Sequence, residues 1–123
     1  MRLYLIRRVS DAKFLRKIEG HYSAHTGQDK NCWSDIPAYM LRTPDGVAAN
    51  LRKLCSTPYY EGDYVNYGRE LQWKDFDANK MGDLEIVCMN VDIVSMIATP
   101  AKEFIQIDAV ENYPLTRLER QGH

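Results

Sequence analysis

Thr43-Pro44-Asp45-Gly46-Val47-Ala48-Ala49-Asn50-Leu51-Arg52-Lys53-Leu54-Cys55 is the stretch on which the fold reading turns. A threonine can accept from the unpaired N–H groups that open a helix, a proline suits the first helical position, and an aspartate in the first turn complements the helix dipole. A helix is therefore predicted over 44–55. Val47, Leu51, Leu54 and Cys55 recur at i, i+4, i+7 and i+8 and make one apolar stripe, while Asn50, Arg52 and Lys53 are assigned to the opposite side. Ser56-Thr57-Pro58 supplies the stop.

Strands on either side give this stripe something to pack against. On the C-terminal side, Leu84–Val91 is apolar and β-branched on both faces of its alternation, the pattern of a central strand. On the N-terminal side, Leu3–Arg8 reads as a strand, Ser10-Asp11 as a turn and Phe14–Ile18 as the returning strand of an antiparallel hairpin. The expected fold is α+β: a small antiparallel sheet, made of the N-terminal hairpin plus the central strand 84–91, packed on one main helix (44–55), with long loops.

The remaining segments are read more coarsely. Gly20 to Pro37 lacks periodicity and is expected to be a long loop anchored by Trp33, and Ala38–Leu41 a short strand. Tyr59 to Met81 mixes six aromatic residues with acids and is expected to be mostly irregular, with Glu70–Lys74 as a strand. Thr99-Pro100 repeats the cap-plus-proline pattern and predicts a short helix over Pro100–Ile105 that buries Phe104 and Ile105. Residues 1–111 are expected to form a single α+β domain and 112–123 a loosely ordered charged tail.

Composition bounds the class. Of the 123 residues 45% are apolar and 27% charged, which is ordinary globular usage and excludes disordered and fibrous classes. The longest apolar stretch, Ile86 to Ala101, is broken by Asn90 and Asp92, and Leu3–Ile6 is too short for the apolar core of a signal peptide. A cytoplasmic protein without membrane contact is expected. Cys32, Cys55 and Cys88 are odd in number and widely spaced, so reduced thiols are expected rather than a disulfide framework.

The net charge of −1 conceals an asymmetry: residues 1–20 carry six bases against two acids, leaving the remainder at −5. Arg7, Arg8, Lys13, Arg16 and Lys17, alternating along a hairpin, would line one sheet face and could meet the phosphates of a nucleic acid. Tyr59, Tyr60, Tyr64, Tyr67 and Trp73 form the most unusual composition in the chain. Tyrosine and tryptophan supply large contact area at little entropic cost, so these five are the candidate partner-binding residues; they equally suit anchoring an irregular segment as satellite core.

Catalytic and metal chemistry finds little support. The chain has no Gly-rich phosphate loop, no dinucleotide fingerprint and no H-E-x-x-H, and no cofactor is expected. His21, His25 and Cys32, with Asp29 or Asp35, offer ligand atoms but no C-x-x-C pair, so no metal site is assigned. Cys32 with His21 or His25 would be the only nucleophilic pair, and Glu61/Asp63 and Asp75/Asp77 are read as solvated acids. No catalytic residue is assigned.

Arg7-Arg8-Val9-Ser10-Asp11-Ala12-Lys13-Phe14-Leu15-Arg16, Trp33-Ser34-Asp35, Ala38-Tyr39, Gly46-Val47-Ala48-Ala49-Asn50-Leu51 and Leu84-Glu85-Ile86-Val87 together resemble a family of small uncharacterised phage and prophage accessory proteins. The resemblance covers most of the N-terminal half and one later strand, and its motifs are structural. It implies a protein that acts by binding host machinery, as anti-CRISPR or anti-restriction inhibitors do.

The expected function is thus a non-enzymatic binding protein that inhibits or modulates a host protein complex. A nucleic-acid-binding accessory protein using the basic hairpin is the second reading, and a small Cys/His enzyme the third. A sheet with an exposed edge can also pair with its own copy.

Overall fold

The computed structural model describes residues 1–16, 32–61, 70–92, 95–115 and residue 119. Leu3-Tyr4-Leu5-Ile6 is apolar on both faces of its alternation, and it lies in the middle of the main sheet. That sheet has five strands, β1 (Arg2–Arg8), β2 (Phe14–Leu15), β3 (Trp33–Ser34), β6 (Leu84–Asn90) and β7 (Ser95–Pro100), in the order β3-β2-β1-β6-β7. Every adjacent pair is antiparallel. Arg2 to Arg8 pair with Asn90 to Leu84 along the whole length of both strands, which is why these two can be buried on both sides.

The alternation divides the side chains between two faces. Tyr4 and Ile6, with Leu84 and Ile86, join Leu15, Trp33, Val47, Leu51, Met81 and Val110 in the main core. Leu5 and Val87 point the other way and form a smaller cluster with Phe14, against which Met89 packs.

The helix α1 (Pro44–Leu54) lies over the first face. Its start is the one the residues dictate: the Gly46 N–H donates to Thr43 Oγ1 at 3.1 Å and Pro44 occupies the first turn. It ends one residue earlier than expected, at Leu54, where the Cys55 N–H closes the last turn onto the Leu51 carbonyl. Val47, Leu51, Leu54 and Cys55 are buried as the stripe requires. Asn50 is a correction: it is buried rather than facing away, its amide donating to the Gly46 carbonyl at 2.8 Å, so an intrahelical partner satisfies what burial would otherwise leave unpaired.

Ser56-Thr57-Pro58 does more than stop the helix. It leads directly into β4 (Thr57–Glu61), which pairs with β5 (Glu70–Lys74) as a separate two-stranded ribbon. The expected strand at Glu70–Lys74 is present; its partner corrects the reading of 59–61 as irregular. Both strands of a two-stranded ribbon are edges, where alternate residues turn their N–H away from the partner, and edges of this kind are where a sheet admits a proline such as Pro58. A 3-10 helix (Ala78–Asp83), capped by the Asp77 carboxylate on the Asn79 N–H at 3.0 Å, then feeds β6.

Two further differences concern the segments after and before these. Thr99 and Pro100 belong to β7, and α2 (Ala101–Phe104) starts beyond them with no side-chain cap, because the Thr99 backbone is committed to pairing with Ile86. Ala101 is buried in α2, whereas Phe104 and Ile105 are half-buried against the main core. Of Ala38–Leu41 only Leu41 pairs, exchanging two 2.8 Å backbone bonds with Tyr4. Trp33 is buried at 7% exposure, but from β3, which corrects the reading of Trp33–Ser34 as loop; residues 20–31 of that expected loop lie outside the described residues.

The last element, α3 (Ile107–Glu111), buries Val110 against α1. Beyond it, the Arg52 guanidinium of α1 donates to the Tyr113 carbonyl and pairs with Glu119, so residues on both sides of 116–118 are held to the helix.

Candidate functional site

The basic hairpin is the first place the sequence points to. Arg7 and Arg8, as neighbours in one strand, project from opposite faces of the sheet. Arg7 Nε donates to Glu85 Oε1 at 2.5 Å across the β1–β6 pair, and its guanidinium sits 5.5 Å from the Phe14 ring. Arg8 makes a two-point contact with Asp11, at 2.5 and 3.1 Å, and stacks 4.3 Å over the Trp33 ring. The Arg8 hydrogen bond holds the Asp11 carboxyl below the usual carboxylate range. These two arginines are therefore engaged within the fold. Lys13 is half-buried, Arg16 is exposed, and Lys17 lies outside the described residues.

Of the aromatic candidates, Trp73 is buried and Tyr59 is half-buried, with Lys74 Nζ 5.1 Å from its ring. Tyr60 pairs through its backbone with Leu71. Tyr64 and Tyr67 lie outside the described residues. Trp73 thus packs inward from β5 and presents little surface to a partner.

The chemistry-bearing residues are dispersed. Cys32 and Cys55 are buried and Cys88 is half-buried, and none of the three is in a disulfide. Burial pushes the Cys55 thiol up to about 12, the opposite of what a nucleophile needs. His21, His25 and Asp29 lie outside the described residues, Asp35 is exposed, and Asp75 and Asp77 are exposed. Asp77 is occupied in capping the 3-10 helix. Among the described residues, no group of three or more His, Cys, Asp and Glu comes together to hold a metal. No helix among them is long and apolar enough to cross a membrane.

The surface that stands out is β7. It is the last strand of the sheet, with β6 on one side and no further strand on the other among the described residues. Hydrogen-bond parity can be followed across the sheet. The Val91 N–H donates to the Met1 carbonyl and the Val9 N–H to the Asp83 carbonyl, so odd-numbered β6 residues bond toward β1. Even-numbered β6 residues then bond toward β7, engaging Ser95, Ile97 and Thr99 opposite Asn90, Cys88 and Ile86. It follows that the N–H and C=O groups of Met96 and Ala98 point outward, along the open edge.

The side chains at this edge are as unusual as its backbone. Met96 is 59% and Ile97 65% exposed, on opposite faces of the strand, and no charge occurs from Ser95 through Ala101. Most natural edges are blunted by a charged residue, a bulge or a cover; β7 itself carries no charge, and Pro100 marks its end. Beside Ile97 an open cleft of about 360 Å³ is lined by Arg2, Asn90, Ser95, Thr99, Cys88 and Phe104.

β7 is hidden in the sequence because Ile86–Ala101 reads as one apolar stretch, too broken to span a membrane. The available signal was the uncharged run Ser95–Thr99 bounded by Pro100. Comparison of the chain with family models, with curated proteins and with solved structures finds no match in any of the three.

Proposed function

We propose that this chain is a non-enzymatic binding protein that takes an extended segment of another polypeptide along β7. The observation that carries the reading is the open edge itself: outward N–H and C=O groups at Met96 and Ala98, flanked by exposed Met96 and Ile97. Strand addition uses this combination, backbone bonds supplying affinity and alternate side chains supplying selectivity. The inhibitor reading implied by the phage-protein resemblance fits such a surface, with the bound segment belonging to a component of the complex being modulated. Nucleic-acid binding through the hairpin is the weaker reading, since Arg7 and Arg8 already have carboxylate partners within the chain.

The test is affinity capture from a nuclease-treated bacterial lysate with the tagged full chain, beside an Ile97→Lys variant. A stoichiometric protein partner captured by the native chain and lost from the variant is the expected result. Partners retained equally by both would overturn the edge reading. Material that disappears with nuclease, with affinity falling steeply as salt rises, would favour the hairpin instead.

A further inference from the structure

We infer that in the free protein the strand seated on β7 is the β7 of a second copy of this chain, antiparallel to the first, with the two-fold axis passing through Ile97, and that a target segment takes the edge by displacing it. This rests on the edge reading above and names the occupant of the unbound state. Three observations converge on a self-complementary pairing.

The first is register. The outward N–H groups belong to Met96 and Ala98, with Pro100 adding only a carbonyl, so setting these two residues against each other joins the N–H and the C=O of both. Centring the axis on Ile97 does this: Met96 of each copy exchanges both backbone bonds with Ala98 of the other, four bonds in all. Centring on Ala98 sets Met96 against Pro100, which has no N–H to give. Centring on Met96 carries Ala98 past the start of the strand at Ser95.

The second is the fit of the side chains. On one face the long Met96 lies over the small Ala98 of the other copy, large against small. On the other face the two Ile97 side chains meet at the non-hydrogen-bonded position, where strands hold Cα atoms closest, about 4.5 Å apart. Both residues now exposed at about 60% would be covered from a single contact.

The third is charge. The strand is neutral, so copies approach without like charges face to face. Its flanks are opposite in sign, with Asp92 before it and Lys102 after, both exposed. Antiparallel pairing directs the Asp92 end of each copy to the Lys102 end of the other. Glu103 follows Lys102 on α2, and the Met1 amino group already pairs with Asp92, so this is steering rather than a locked ion pair. A six-residue edge is small beside the roughly 1,200–2,000 Å² of stable interfaces, and the dimer should be reversible, with a Kd on the order of tens of micromolar.

Sedimentation equilibrium of the full chain from about 1 to about 500 µM should show the average mass climbing toward twice the monomer. Ile97→Lys, which sets two ammonium groups together on the axis, should hold it at one copy with an unchanged circular dichroism spectrum. Register is tested by oxidation. In a Cys88→Ser background, which removes the thiol opposite position 97, Ile97→Cys should give a disulfide-linked dimer because about 4.5 Å falls within bridging range. Met96→Cys, two residues out of register with itself, should not. A constant monomer mass with no cross-link at position 97 would overturn the second copy as occupant; if Ile97→Lys nonetheless abolished capture of another protein, the edge reading would survive alone. A dimer untouched by Ile97→Lys, or one cross-linked through Met96→Cys instead, would overturn the proposed axis.

Discussion

At the scale of single residues, the local chemistry is most explicit where backbone or burial forces a choice. Ala12 closes the β1–β2 turn at φ 56°, the left-handed region in which a β-carbon costs roughly 1–2 kcal/mol. The residue is exposed, so Ala12→Gly removes that cost against roughly 0.5–1 kcal/mol of added unfolded-state entropy. A net gain of about 0.5–1 kcal/mol in urea unfolding is expected. Cys55 acts through pH. Its thiol ionises near 9 when free and near 12 when folded, so above pH 9 the unfolded chain loses a proton that the folded chain keeps. Stability from this group is complete below pH 9 and drains away as pH rises toward 12. Comparing native chain with Cys55→Ala by denaturant titration, the alkaline loss should be smaller in the variant by an amount on the order of a few kcal/mol. Thr43, Pro44 and the apolar stripe were legible from sequence because each acts on its nearest neighbours. The partners of Arg7 and Arg8 were not: Glu85 is 78 residues away, and Trp33 reaches Arg8 only through the β2–β3 pairing.

At the scale of elements, α1 organises more than the sheet it covers. Its apolar side meets the core, and its Arg52 gathers the C-terminal segment through the Tyr113 carbonyl and Glu119. The Arg52 side chain is mostly buried, with its Nε unpartnered, so charge and shape are both committed to this one contact. Arg52→Met keeps much of the volume and removes the donors. Limited proteolysis should then cut after α3 at least several-fold faster, while the unfolding midpoint of the core moves little; equal cleavage rates would show that Val110 alone docks this segment. The elements recovered from sequence, β1, the start of the returning strand β2, α1, β5 and β6, have a strong period, a capped start or a turn signal before them. Those missed or misplaced were short or bounded by proline. β3 is two residues long, β4 carries Pro58, and Pro100 ends a strand where its twin Pro44 opens a helix. Proline's preferences are shared by helix starts and strand ends, and only pairing with Ile86 decided between them at Thr99.

At the scale of the whole molecule, the α+β class and the packing of one helix on an antiparallel sheet could be read from alternation and periodicity. The strand order could not, nor could the identity of the open edge, because both depend on which distant segments meet. The candidate site followed the same rule: aromatic and basic residues attract attention in a sequence, yet Trp73, Arg7 and Arg8 are engaged within the fold, while plain Met96 and Ile97 remain outside it. The placement of β1 has a consequence for how the chain comes into being. β1, made before the other strands of its sheet, is the centre of that sheet, and its long partner β6 is made only after residues 9–83 that separate them. A nascent chain leaving the ribosome therefore carries the apolar run Leu3–Ile6 with its β6 edge unpaired until residue 84 and beyond have been synthesised, β2, Leu41 and α1 being the parts of its surroundings made earlier. During that interval the run is a natural client for a chaperone, and the speed of translation rather than of folding sets how long it must be guarded.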